Sequence, residues 1–227
     1  MRLSLLSGFE LVCDGRPVCL PMSAQRLLAY VGIQERPIER THIAGILWTD
    51  RPEERATANL RSALWRLHRP GHRLIESDSS RLRLASSVCV DVKEASALAH
   101  RIVNPGVACE MDDLSAGAFH GDLLPDWYDD WVLVERERFR QIRLHALEAG
   151  CERLTRSGRY AEAIEAGLGA VTGEPLRESA NRVLIQAHIA EGNRIEARRQ
   201  YERYRDVLRS DLGEEPSSEM KRLVGEL

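Results

Sequence analysis

The 227-residue chain is poor in lysine, in aromatic residues and in long apolar stretches. Its only lysines are Lys93 and Lys221, although lysine and arginine together number 32, and aromatic residues make up 5%. No run approaches the ~20 apolar residues that a membrane helix requires. The amino terminus has no long apolar core and no small-residue cleavage site, so no signal peptide is predicted. We therefore expect a cytoplasmic protein that does not interact with membranes.

Sequence motifs of catalysis and of metal binding are also absent. The chain contains no GxGxxG, GxxxxGK[ST], GxSxG or HExxH pattern. Its five cysteines are odd in number and scattered, without a CxxC pair. This spacing favours reduced thiols over a disulfide framework or a zinc site. We expect no enzymatic activity, no catalytic residues, no cofactor and no metal.

The net charge of −3 argues against a uniformly basic nucleic-acid coat. The two halves differ, however. Residues 1–100 carry 14 basic and 11 acidic side chains, whereas residues 101–227 carry 18 and 24. Between Arg51 and Arg83, eight basic residues face four acidic ones. This distribution predicts a nucleic-acid-binding first half and a second half that faces proteins.

The first 90 residues show the pattern of a winged helix-turn-helix. Residues 2–20 alternate like short strands, with a hairpin signal at Asp14-Gly15. Two helices are predicted to follow, capped by Ser23 and by Thr41. A third helix runs from about Glu53 to His68, and a hairpin at 74–84 comes next. Strands, three helices and a hairpin in this order are typical of an α+β winged helix-turn-helix domain.

Residues 91–227 predict an all-α domain. Helices are indicated at about 91–103, 126–156, 160–172, 176–190, 194–210 and 217–226. A weak, degenerate repeat relates Gly158–Ala163 to Gly192–Ala197, 34 positions later, which is the tetratricopeptide (TPR) period. We therefore predict a TPR-like helical-repeat domain over 91–227, after a DNA-binding domain over 1–90.

The third predicted helix carries the main candidate site. With Leu60 at the centre of its buried face, a helical wheel expects Glu53, Ala56, Ala63, Leu64 and Leu67 to be buried. The other face is basic with small residues between the arginines, which suits the major groove. The alternative is a solvated charged face. The candidate DNA-contacting residues of this helix are Arg55, Thr57, Asn59, Arg61, Ser62, Trp65, Arg66 and Arg69.

Further candidates lie outside this helix. Thr41 is a candidate phosphate binder at the amino end of the second helix, and Arg73, Arg81 and Arg83 are candidate wing contacts. For Trp65, two interpretations stay open, a core or interface aromatic and a contact with the sugar-phosphate wall. Two same-face aromatic pairs, Trp127 with Trp131 and Tyr201 with Tyr204, fit either core packing or a partner-binding patch.

Several segments together carry a family resemblance that spans the chain. They are Leu5–Leu11, Asp14–Val18, Gln25–Ala29, Ile46–Asp50, Arg55–Leu67 and Asp211–Ser217 with Glu219. These segments resemble the SARP-type antibiotic regulatory activators of actinomycetes, in which an OmpR-type winged helix is joined to a bacterial transcriptional activation domain. The segment Arg55–Leu67, similar to the family's recognition helix, is the most specific match.

The resemblance implies a function and partners that periodicity does not show. Proteins of this kind bind direct repeats in double-stranded DNA near promoters, as side-by-side homodimers, and recruit RNA polymerase. Many of them control antibiotic or other secondary-metabolite clusters. We therefore expect a sequence-specific transcriptional activator of this type. The alternative is a TPR-like interaction adaptor whose winged helix no longer binds DNA.

Overall fold

A computed structural model of the chain describes residues 1–68, 71, 73–104, 106–107 and 116–225. The chain divides into two compact units. The first unit comprises Met1–Glu94 and Gly121–Arg136, and the second comprises Ala95–His120 and Glu137–Leu227. Among the described residues, helices dominate and strands are short. No helix in this part of the chain is both long and apolar enough to cross a membrane.

The first unit opens with a small sheet. Its strands β1 (Arg2–Ser4), β2 (Glu10–Cys13), β3 (Arg16–Pro17) and β7 (Cys89–Val90) lie in the order β3-β2-β1-β7. Strand β1 is antiparallel to β2, with Leu3 opposite Leu11, and parallel to β7. The β2–β3 turn has positive φ at both Asp14 (49°) and Gly15 (76°), as a two-residue hairpin turn requires. The predicted hairpin is confirmed.

Three helices and a second sheet follow the first three strands. The helices are α1 (Met22–Ile33), α2 (Arg40–Leu47) and α3 (Glu53–Leu67), and they pack on one another. Their shared core contains Leu27, Leu28, Ile43, Leu47 and Leu60, each at most 2% exposed. Strands β4 (Ile38–Glu39), β5 (Ile75–Ser77) and β6 (Arg81–Leu84) form a sheet in the order β4-β6-β5. The predicted hairpin at 74–84 is the β5–β6 pair.

The two predicted helix caps are wrong. Helix α1 begins at Met22 after Pro21, and α2 begins at Arg40 after Glu39, so that Ser23 and Thr41 are each the second residue of a helix. Neither helix has a side-chain cap. The backbone of Glu39 belongs to β4, so α2 starts where the strand ends, and the Arg40 N–H donates to the Ser80 carbonyl at 2.8 Å.

The segment Gly121–Arg136 packs within the first unit. The Ser7 N–H donates to the Asp122 carbonyl, and the Leu124 N–H donates to the Leu5 carbonyl, both at 2.9 Å. The Arg136 guanidinium donates to the carbonyls of Leu123 (2.7 Å) and Trp127 (2.8 Å), and also to that of Leu124. The hydrogen bonds of Arg136 therefore hold the loop at residues 123–127 against the end of the same segment.

Aromatic rings also pack Gly121–Arg136 against the rest of the first unit. Trp131 meets Tyr30 edge-on at 5.2 Å between ring centroids, and Trp127 stacks on Phe9 at 6.0 Å. The expected aromatic pair is therefore used in packing, with Trp131 8% exposed. The predicted helix from 126 begins four residues later, at Asp130, because Trp127 belongs to the preceding turn.

The remaining elements are helical. They are α4 (Asp91–Val103), a 3₁₀ turn (Ala116–Phe119), α5 (Asp130–Arg156), α6 (Tyr160–Gly173), α7 (Glu178–Glu191), α8 (Arg194–Leu212) and α9 (Ser218–Gly225). In the second unit α6 packs against α7, and α7 against α8. Tyr204 lies in the core with Ile185 and Met220, and Tyr201 packs against the same cluster. The second aromatic pair is thus also used in packing.

The 34-residue repeat has a structural counterpart. Gly158 and Gly192 have φ of 77° and 93°, values that glycine adopts at little cost. The residues before α6 and α8, Arg159 and Asn193, share φ near −85° and ψ near 63°. Ala163 and Ala197 are both fully buried. The two copies therefore share the same local conformation at the start of α6 and of α8.

Candidate nucleic-acid interface

Helix α3 has one buried and one exposed face, as the wheel predicts. Ala56, Leu60, Ala63 and Leu67 are buried, at most 4% exposed. One expectation of the wheel is wrong and another holds only in part. Glu53 is exposed, because in the first turn its carboxylate lies in water beside the positive helix end. Leu64, at the edge of the buried face, is half-buried.

The ends of α3 carry charges that suit a helix. Glu53 and Glu54 lie in its first turn and Arg66 lies in its last, which complements the helix dipole. Pro52 precedes the first helical residue, and the His68 N–H closes the end by donating to the Trp65 carbonyl at 3.1 Å. Arg69 lies outside the described residues.

The exposed face of α3 presents arginines that have no partner among the described residues. Arg55, Arg61 and Arg66 are exposed, and none of them forms an ion pair or side-chain hydrogen bond with another residue in the described part of the chain. Between them lie Ala58 and Ser62, whose hydroxyl donates to the Ala58 carbonyl at 3.1 Å. Such guanidinium groups are free to contact phosphate or to bind guanine with two hydrogen bonds.

Trp65 is 78% exposed. This exposure overturns the core interpretation of Trp65 and leaves a contact with DNA or another partner as a prediction. Thr57 and Asn59 flank the face and are half-buried.

The arginines of the β5–β6 hairpin, unlike those of α3, form ion pairs with carboxylates. Arg81 and Arg83 both point outward on either side of the buried Leu82. The Arg81 Nε donates to Glu39 Oε1 at 2.5 Å, and the Arg83 Nε donates to Glu76 Oε2 at 2.6 Å. The hydrogen bond from Arg81 holds the pKa of the Glu39 carboxyl below its usual value. Both arginines are therefore neutralised by carboxylates.

The turn of this hairpin is closed by its own carboxylate. Asp78 Oδ1 accepts the N–H groups of Ser80 (3.0 Å) and Arg81 (2.8 Å). These two backbone hydrogen bonds, that from Arg81 first, lower the pKa of Asp78. Arg73, just before β5, is exposed and has no partner among the described residues.

Thr41 is exposed in the first turn of α2. The preceding residue, Arg40, donates its N–H to the Ser80 carbonyl in the turn of the hairpin. The contact of Thr41 with phosphate stays a prediction. One further arginine, Arg51, lies exposed between α2 and α3 and pairs with Asp50 at 3.3 Å.

Nowhere in the described ranges do three or more His, Cys, Asp or Glu side chains form a group that could hold a metal ion.

Comparison with known proteins defines the class. The family model described as the bacterial transcriptional activator domain matches residues 86–227, well over half of the chain. The chain belongs to this family of transcriptional regulators, and the SARP-type resemblance seen in the sequence is confirmed.

A solved structure extends the comparison to the whole fold. The structure of Mycobacterium tuberculosis EmbR in complex with a low-affinity phosphopeptide is similar to 99% of this chain, with a TM-score of 0.71 and 21% sequence identity. The chain spans 64% of the length of that EmbR chain. No curated protein matches the chain significantly.

Proposed function

We propose that the chain is a sequence-specific DNA-binding transcriptional activator, with a winged helix-turn-helix reader over 1–90 and a TPR-like activation domain over 91–227. The observation that carries this proposal is the exposed face of α3, where Arg55, Arg61 and Arg66 have no partner among the described residues. In a folded protein, surface arginines that have carboxylates nearby commonly pair with them, as Arg81 and Arg83 do.

The order of elements supports the assignment of α3 as recognition helix. It is the third helix after a small sheet, and it is followed by a hairpin that forms the wing (β5–β6). The major groove of B-DNA admits one helix, and the small residues Ala58 and Ser62 allow close approach between the arginines. Arg55, Arg61, Ser62 and Arg66 are the proposed groove contacts, with Trp65 against the sugar-phosphate wall.

The partners follow from the family and from charge. We propose that the protein binds direct repeats near promoters as a homodimer, recruits RNA polymerase and regulates a secondary-metabolite cluster. Residues 101–227 carry six more acidic than basic side chains, which disfavours DNA contact and favours contact with a protein partner.

Selection of genomic fragments by the purified full chain tests this function. We expect enrichment of direct repeats, and a gel shift on them that weakens steeply with salt. The variant Arg55→Ala/Arg66→Ala should lose the shift, whereas Arg16→Ala, an exposed arginine on β3, should keep it. A lack of enriched sequence, together with no gel shift at low salt, would overturn the proposal.

The acidic second half motivates one other candidate function, that of an interaction adaptor without DNA binding. The charge reversal Arg55→Glu/Arg66→Glu discriminates between the two. Loss of promoter activation in cells that make normal amounts of the variant supports the activator. Unchanged cellular function supports the adaptor.

A further inference from the structure

The wing arginines Arg81 and Arg83 form ion pairs with carboxylates, whereas the exposed arginines of α3 have no partner among the described residues. Sequence patterns do not reveal this difference. In the β4-β6-β5 sheet, Glu39 lies directly opposite Arg81 and Glu76 lies directly opposite Arg83. Each pair forms a side-chain ion pair. Arg81 Nε lies 2.5 Å from Glu39 Oε1, and Arg83 Nη2 lies 2.5 Å from Glu76 Oε2. Opposite charges in such cross-strand positions attract. The four side chains together carry no net charge.

The backbone of the wing does not depend on these side-chain pairs. Leu82 is fully buried beneath the sheet, and the Asp78 carboxylate and the Arg40 N–H hold the turn through backbone groups at 2.8–3.0 Å. Removing a carboxylate at Glu39 or Glu76 therefore leaves the ladder, the turn and the apolar anchor in place. The two carboxylates act on the arginines more than on the fold.

We propose that Glu39 and Glu76 attenuate sequence-independent DNA binding by holding Arg81 and Arg83 in ion pairs across the sheet. This inference rests on the proposed DNA binding and concerns how strongly the wing contributes to it. Phosphate contacts supply most of non-specific affinity, and each neutralised phosphate releases counterions. A paired arginine must give up its carboxylate to reach a phosphate, and that carboxylate then repels the phosphate at close range. The wing therefore adds little, and binding depends on α3.

Such attenuation has a functional advantage. An activator must find its operator among many non-specific sites, so the ratio of specific to non-specific affinity matters more than either value. Arginines that pair within the protein lower affinity for every sequence alike, whereas those on α3 bind through geometry that depends on the base pairs. Once α3 has docked in the groove, it holds the wing beside the DNA backbone, and the wing arginines can then still contact phosphates.

A binding titration on a random-sequence 30-bp duplex tests the inference without knowledge of the operator. The full chain is compared with Glu39→Gln/Glu76→Gln and with the control Glu10→Gln/Asp126→Asn. The control removes the same charge from two exposed positions of the first unit. We expect the wing variant to bind the duplex roughly 3- to 30-fold more tightly, as one or two added surface charge contacts would allow. The control should change affinity far less.

The dependence on salt is the second readout. Each phosphate that the released arginines neutralise should steepen the slope of log K against log salt by about 0.9. An unchanged slope, an unchanged affinity, or an equal gain in the control variant would overturn the attenuation. Weaker binding by the wing variant would also overturn it, because the carboxylates would then position the arginines. If neither the wild type nor the variant binds DNA at low salt, the proposed function itself fails.

Discussion

Arg26 on α1 forms an ion pair with Asp129, which lies 103 positions later in the chain, directly before α5. Both side chains are about a quarter exposed. The pair lies in the same region as the Tyr30–Trp131 ring contact, and both interactions join Gly121–Arg136 to the rest of the first unit.

We expect Asp129→Asn to lower the free energy of unfolding of the first unit by roughly 1–3 kcal/mol, because a partly buried guanidinium loses its charged partner. Asp126→Asn, an exposed carboxylate three residues earlier, should change it by less than about 0.5 kcal/mol. Chemical denaturation followed by tryptophan fluorescence measures both. Equal midpoints for the two variants would show that the ion pair does not contribute.

Substitution of Arg66 separates base contact from phosphate contact. If Arg66 binds guanine with two hydrogen bonds, Arg66→Ala should weaken operator binding by about 1–3 kcal/mol and relax preference at one base pair. Arg66→Lys should then be nearly as weak, since lysine cannot form the same two-point contact. Binding to operators altered at each position measures this. Full rescue by lysine with unchanged preference would assign Arg66 to a phosphate.

Two glycines of α6 are expected to respond oppositely to alanine. A Cβ at Gly167 would lie 3.1 Å from the Leu184 Cβ and 3.2 Å from its Cα on α7, whereas one at Gly169 would make ordinary contacts at 3.5 and 3.7 Å with Leu147. Gly167→Ala should destabilise the second unit by about 1–3 kcal/mol through overpacking. Gly169→Ala should stabilise it by up to about 1 kcal/mol, because alanine favours the helix. Thermal unfolding of both variants measures this. A similar shift in both would mean that α6 and α7 separate easily at this point.

Glu178 on α7 should stabilise the second unit in a pH-dependent manner. Burial by itself raises its pKa, but hydrogen bonds from Ser217 and Tyr204 outweigh burial, and the pKa is lowered from 4.5. The folded state therefore gains stability above the unfolded pKa and loses it as pH falls through the folded pKa. Glu178→Gln should destabilise the protein by about 1 kcal/mol at pH 7.

The difference between Glu178→Gln and wild type should shrink as pH falls from 4.5 toward the lower folded-state pKa, because the unfolded chain takes up a proton at Glu178 before the folded chain does. Unfolding curves from pH 7 to pH 3 measure this. Glu165→Gln, an exposed carboxylate on α6, serves as control and should show little effect at either pH. A constant difference across the range would rule out a contribution from the charge.

Cysteine reactivity should follow burial. Burial raises the pKa of Cys151 to about 12, whereas Cys19 and Cys89 are exposed thiols. Because the thiolate is the reactive form, iodoacetamide at pH 8 should alkylate Cys19 and Cys89 in the native protein and leave Cys151 unmodified. Peptide mass spectrometry gives the sites. Alkylation of Cys151 only after unfolding in guanidinium agrees with this expectation, and native alkylation at the rate of Cys89 contradicts it.

Local patterns in the sequence were sufficient for several elements. The Asp14-Gly15 turn follows from backbone preferences of two residues, and the buried face of α3 follows from helical periodicity around Leu60. The starts of α6 and α8 follow from the 34-residue recurrence of glycine. In each case the information lies within a few residues of the structure that it determines, so no knowledge of distant contacts is needed.

Other features depend on residues far apart in the chain. Helix α2 begins at Arg40, before the position that a cap at Thr41 would require, because β4, paired with β6, ends at Glu39 and the Arg40 N–H donates to the Ser80 carbonyl. Contacts of Leu124 with Leu5 and of Asp129 with Arg26 join Gly121–Arg136 to the rest of the first unit. No local periodicity signals such pairs, since each partner alone is an ordinary loop or surface residue.

The sequence alone determined the basic outward face of α3 and the helical nature of the second half, because helical periodicity and charge are local properties, and the class of the protein followed from the family resemblance of its segments. Tertiary structure decided which arginines are available. Arg55 and Arg66 on α3 have no partner among the described residues, whereas Arg81 and Arg83 are neutralised by carboxylates brought opposite them by strand register. An ion pair between strands depends on where the backbone places two charges, and only the folded chain defines that distance.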